Sequence, residues 1–129
     1  MTKIKHQPTV TILHNGEDRK VKQAEALAKG NKLGVKSIDL RKEKVSETQL
    51  DLLARNYGGE LDSLVKKEYQ HEVADKSDRE ILTLIGNNST MLKTPLATSD
   101  GQVINLTSPR SVLTFSKSEN PIDPYNHKI

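Results

Sequence analysis

The chain has no cysteine and no tryptophan, and aromatic residues make up 3% of its 129 positions. The first absence excludes most. Without a thiol there is no thiolate nucleophile, no disulfide, no thiol-ligated zinc and no iron–sulfur cluster, whatever fold the chain adopts. The scarcity of aromatics leaves little for unpaired nucleobases to stack on, which argues against direct nucleic-acid binding. No apolar run approaches the roughly 18 residues of a membrane span, and the N-terminus lacks the apolar core of a secretion signal. The expectation is a cytoplasmic protein that does not engage membranes. Charge of one sign is also modest, because 20 Lys and Arg against 17 Asp and Glu leave only +3. That excess is too small to make a phosphate backbone the default partner. A hydrophobic fraction of 33% and a mean hydropathy of -0.66 are low for a globular chain, so part of the length should stay solvated.

What is present reads as one domain. A flexible segment is expected over 1–8, a single domain over 9–117 and a mobile tail over 118–129, where two prolines interrupt a stretch without periodicity. Thr9-Val10-Thr11-Ile12-Leu13 is a β-branched run stopped by His14-Asn15-Gly16. Glu17 and Asp18 then front a helix whose apolar positions are Val21, Ala24, Leu27 and Ala28, with Gly30 expected to stop it. Val35 to Leu40 reads as a second strand, parallel to the first because a crossover helix joins them.

The middle reads as a helical insertion, about 46–91. Ser46-Glu47-Thr48-Gln49 fits a capping box before Leu50, Leu53 and Ala54, and Ser77-Asp78-Arg79-Glu80 fits a second before Ile81, Leu82, Leu84 and Ile85. Leu61, Leu64 and Val65 suggest a short helix between them, while the polar stretch 66–76 carries no assignable pattern. Leu92 to Thr98 and Gln102 to Leu106 flank Ser99-Asp100-Gly101 as an antiparallel hairpin. Ser108-Pro109 then places an N-cap before an N1 proline, opening a last helix through Val112, Leu113 and Phe115.

The order β-α-β, helices, β-β-α is that of the thioredoxin-like fold. The runs Thr11-Ile12-Leu13-His14-Asn15, Leu64-Val65-Lys66-Lys67-Glu68-Tyr69, Leu92-Lys93-Thr94-Pro95-Leu96, Asp100-Gly101 and Ser108-Pro109-Arg110-Ser111-Val112-Leu113 together resemble the arsenate reductase ArsC and Spx family, which is glutaredoxin-like. The resemblance implies an α/β domain with a four-stranded mixed sheet and a helical insertion between its βαβ and ββα halves. It also implies where the chemistry would have been. The family's attacking cysteine corresponds to Asp18, and a carboxylate can form neither a thiolate–arsenic bond nor a mixed disulfide with glutathione. The three arginines with which the family holds its oxyanion correspond to Lys66, Thr94 and Ser108, leaving one point charge in place of three bidentate forks.

The candidate residues each have a plain alternative. His14, Asn15 and Asp18 form the relic of the catalytic turn; His14 has the chemistry of a general acid or base, but a lone His at a strand end is more often structural. Glu17 and Asp18 at a helix start stabilise it by about 0.3–1 kcal/mol each and repel an incoming oxyanion, so capping outweighs a ligand role. Asp18 is nonetheless expected within ion-pair reach of Lys66. Thr94-Pro95 matches the family's cis proline, beside which a free backbone could pair with a peptide or glutathione. Lys66, Thr94 and Ser108 are the candidate anion contacts. His6, His71 and His127 lack metal-ligand spacing, so no metal is expected. Lys66 and Lys67 with Arg41, Lys42 and Lys44 could make a basic patch, although Glu43, Glu47, Glu60 and Glu68 are interspersed. The resulting expectation is a redox-inactive binding or regulatory module with a protein partner, as Spx-like relatives have in RNA polymerase. The alternatives are an enzyme binding glutathione or an anion with non-cysteine chemistry, and a structural or dimerisation module.

Overall fold

The first strand, β1 (Thr9–His14), is central and sorts its side chains by the two-residue period of a pleated strand. Val10 and Ile12 are fully buried on one face, whereas Leu13 enters the core on the other. The computed structural model describes residues 8–16, 18–57 and 60–116. The segment expected to be flexible before Pro8, the tail after Lys117 and Glu17 lie outside the described residues. Pro8 is already part of the structure, since its carbonyl accepts the Gly34 N–H at 3.1 Å.

Helix α1 (Arg19–Gly30) crosses over to β2 (Gly34–Asp39), which pairs in parallel with β1 from Thr9↔Gly34 to His14↔Asp39. The buried positions of α1 are the four read from the sequence, Val21, Ala24, Leu27 and Ala28. Its stop differs. Gly30 remains helical, and the left-handed residue is Lys32, at φ 63°. The Leu33 N–H reaches back to the Ala28 carbonyl at 2.9 Å, and the Asn31 amide caps the Leu27 carbonyl at 2.9 Å. Hydrogen bonds therefore close this helix where a glycine was expected to do so.

Helix α2 (Glu47–Asn56) begins where Ser46 Oγ accepts the Gln49 N–H, at 3.1 Å. After it come a 3-10 turn at Leu61–Leu64, another at Lys67–Tyr69 and a single helical turn, α3 (Gln70–Val73). Within 66–76 only Val73 is buried, which explains why that stretch carried no periodic signal. Helix α4 (Asp78–Asn87) opens with the complete Ser77–Glu80 capping box. The Glu80 carboxylate accepts both the Ser77 N–H and its hydroxyl, and these bonds lower its pKa.

Strand β3 (Leu96–Ser99) turns through Asp100 and Gly101, at φ 47° and 76°, into β4 (Gln102–Asn105). Two consecutive left-handed residues are what a two-residue hairpin demands, and Asp-Gly supplies them. β3 starts four residues later than expected, because Leu92 instead bridges Val65; the Thr94-Pro95 peptide before it is cis. The sheet order is β2-β1-β3-β4, with β1 parallel to β2 and antiparallel to β3. The mixed four-stranded sheet is thus present as expected.

The closing segment Pro109–Phe115 corrects another expectation, since it is a 3-10 helix and Ser108 makes no side-chain cap to it. Its buried residues, Val112 and Phe115, are three apart. A three-residue turn keeps such positions on one face, so burial against α1 selects the tighter helix. The sheet consequently has apolar packing on both faces: α1 and the closing turn on one, α2, α4 and the insertion on the other.

Candidate functional site

The turn between β1 and α1 is built on His14, which is 2% exposed. Its Nδ1 accepts the Gly16 N–H at 3.2 Å, so the ring proton is assigned to Nε2, which donates to Ser37 Oγ at 2.7 Å. Both nitrogens are therefore engaged. A ring so placed shapes the turn and has no free nitrogen for proton transfer. Gly16 stands at φ 103°, a left-handed conformation that a side chain resists. Above it lies Arg41: a Cβ on Gly16 would come within 2.9 Å of the Arg41 guanidinium carbon.

Arg41 is held there by Asp39 through a bidentate contact, Nε to Oδ1 at 3.1 Å and Nη2 to Oδ2 at 2.9 Å. The pair keeps the Asp39 carboxyl far below the ordinary carboxylate range, chiefly through the Arg41 side-chain bonds. Asp18, which is exposed, accepts the Val21 N–H at 3.0 Å and so caps α1. It does not pair with Lys66. The acidic partner that does form an ion pair near this turn is Asp39, with Arg41 at 2.9 Å. The physical reason is that the helix end already satisfies the Asp18 carboxylate with a backbone donor. Asn15 is exposed beside it.

The remaining candidates meet elsewhere. Lys66, Thr94 and Pro95 line one groove of about 510 Å³, together with Lys20, Lys67 and Lys93. Its geometry follows from the bridge between Val65 and Leu92, both fully buried. The Lys66 N–H donates to the Met91 carbonyl at 2.8 Å and the Lys93 N–H to the Leu64 carbonyl at 2.7 Å. Lys66 and Lys93, each next in the chain to one member of the buried pair, both line the groove. Gln70 fixes the incoming turn by donating to the Asp62 and Val65 carbonyls at 2.8 and 2.7 Å. Ser108 does not line the groove; its hydroxyl lies 3.5 Å from that of Ser111. His14, Asn15 and Asp18 do not line it either.

The anticipated basic patch divides in the same way. Arg41 stays at the β1–α1 turn, and Lys44 lines a separate depression between α2 and α4. Only Lys66 and Lys67 of that patch reach the groove, where Lys20 and Lys93 join them. Lys93 could have been noticed beside Thr94-Pro95. Lys20 carried no signal, because only the packing of α1 brings its first turn to that place.

Neither the Thr94 backbone N–H nor its hydroxyl has a hydrogen-bond partner among the described residues. The groove thus combines an unused backbone donor with a cluster of ammonium groups. Among the described residues no three His, Asp or Glu side chains converge as metal ligands, and no helix is long and apolar enough to cross a membrane.

No protein-family model matches the sequence, and no curated protein does. Solved structures do match. Arsenate reductase from Vibrio cholerae superposes with a TM-score of 0.70 at 20% identity, covering 84% of this chain and 98% of that one. A Staphylococcus aureus protein gives a TM-score of 0.63 at 16% identity, over 75% and 89% of the two chains. An arsenate reductase related protein from Brucella melitensis gives 0.52 at 16% identity, over 85% and 96%. The likeness is one of fold: the chain has the thioredoxin-like architecture of these proteins.

Proposed function

We propose that this chain is a redox-inactive module of the arsenate reductase-like kind that works in the cytoplasm by binding a protein partner in the groove beside Thr94 and Pro95. The observation that carries this reading is the separation of two features. The position corresponding to the family's nucleophile holds Asp18, whose carboxylate is occupied as a helix cap, while a separate groove keeps at Thr94 a backbone donor with no partner among the described residues. Chemistry is gone and a binding surface is left. With His14 buried and engaged at both nitrogens, its imidazole is not free to supply acid–base catalysis at this turn. Glutathione has carboxylates that suit the lysines, but with no cysteine in the chain it would be held without reacting.

Two measurements test the reading. Arsenate and disulfide reduction, assayed with glutathione and glutaredoxin supplied, should not exceed a blank without protein; turnover proportional to protein would overturn redox inactivity. Amide resonances of Thr94, Leu96 and 104–107 should shift when a pool of short extended peptides is added, and Pro95→Ala should abolish those shifts. A pool that leaves these amides unmoved sinks the binding role.

A further inference from the structure

We infer that the groove selects an acidic, extended segment of its partner, held by Lys20, Lys66, Lys67 and Lys93; this rests on the binding role proposed above and names the chemistry of what is bound. The four lysines come from three places in the chain, the first turn of α1, the turn after Leu64 and the residue before Thr94, and the fold brings them to one rim. None lies within 4.0 Å of a carboxylate among the described residues, so their charge is not neutralised internally. Among the described residues Glu68 is the one acidic residue lining the groove. Four positive charges against one leave a local excess of three, equal to the formal charge of the entire chain. The charge is therefore concentrated here, even though the overall composition is nearly balanced.

The shape narrows the ligand. An extended segment can present a carbonyl to the unpartnered Thr94 N–H and project alternate side chains toward the lysines, so backbone pairing supplies affinity and charge supplies choice. A nucleic acid fits less well. Among the described residues no aromatic side chain lines the groove to stack a base. Glu68 also stands in the path of a uniformly charged phosphate chain, whereas a peptide can place its carboxylates on either side of it.

The test uses three labelled decapeptides on one Gly/Thr/Val frame, carrying Glu, Gln or Lys at the same four positions, with binding to the full chain read by fluorescence anisotropy. The Glu peptide should bind tightest and weaken steeply with salt, since exposed charge pairs are screened. Lys67→Gln with Lys93→Gln should weaken it about tenfold, whereas Lys29→Gln with Lys76→Gln, outside the groove, should leave it unchanged. Equal affinity for the Glu and Gln peptides, or equal losses in both double variants, overturns the acidic selection while leaving the binding role intact. An oligonucleotide or inorganic polyphosphate that displaces the Glu peptide at lower concentration than the unlabelled peptide itself also overturns it, in favour of a general polyanion site. If no peptide of any charge moves the Thr94 and Leu96 amides, the binding role and this inference fall together.

Discussion

The Arg41 guanidinium grips the Asp39 carboxylate through two hydrogen bonds and lies across Gly16, tying the end of β2 to the turn that follows β1. The backbone joins the same contact, because the Arg41 N–H also donates to Asp39 Oδ1, at 2.9 Å. Asp39 faces His14 in the parallel ladder, so one pair braces the turn between β1 and α1. The contacts at that turn come from the chain's own groups, the Gly16 N–H on His14 Nδ1 and the Asp39–Arg41 pair.

Acid should expose this brace. The folded pKa values of Asp39 and Glu80 are both lowered, so each contributes stability that is complete above its unfolded value, near about 4, and is lost as pH falls through the folded one. The melting temperature should therefore fall as pH drops below about 5, and Asp39→Asn with Glu80→Gln should flatten that fall. Parallel melting curves for parent and variant across this range would refute the assignment.

Two glycines should respond in opposite directions. Gly16→Ala forces a side chain into φ 103° and displaces the flexible end of Arg41, costing about 1–2 kcal/mol, most of it backbone strain. Gly30→Ala places a methyl in open space inside a helix and should stabilise by about 0.5–1 kcal/mol. Urea titration of both variants decides it; a neutral Gly16→Ala would mean that the turn relaxes freely.

His14 should behave as a structural residue. Ser37→Ala leaves the buried Nε2–H without its partner and should cost about 1–3 kcal/mol. Nitrogen NMR should place the proton of the ring's neutral form on Nε2. A proton on Nδ1 would contradict the bond from Gly16 and reopen a chemical role.

Asp18 should matter little to stability and not at all to catalysis. Asp18→Asn keeps a good cap and should change stability by only a few tenths of a kcal/mol, while Asp18→Ala should cost about 1 kcal/mol. Asp18→Cys should confer almost no arsenate reduction, because Thr94 and Ser108 are neutral and Ser108 lies outside the lysine groove. Substantial turnover by that variant would show that the oxyanion site survives.

The sequence by itself determined whatever depends on neighbours along the chain. The apolar face of α1, the Ser77–Glu80 box, the Asp100-Gly101 hairpin and the βαβ opening were legible because each rests on spacing of a few residues, as is the exclusion of thiol chemistry, which needs only the absence of cysteine. Tertiary structure decided what composition and spacing leave open. The 3-10 form of Pro109–Phe115 follows from packing against α1, and the late start of β3 from the bridge of Leu92 to Val65. The lysine groove could not be read along the chain, because 73 positions separate Lys20 from Lys93 and only the folded domain brings both to one rim. An ammonium group's long-range field depends on distance through space, so where charge accumulates is settled by the fold, while how much charge there is was settled by the sequence.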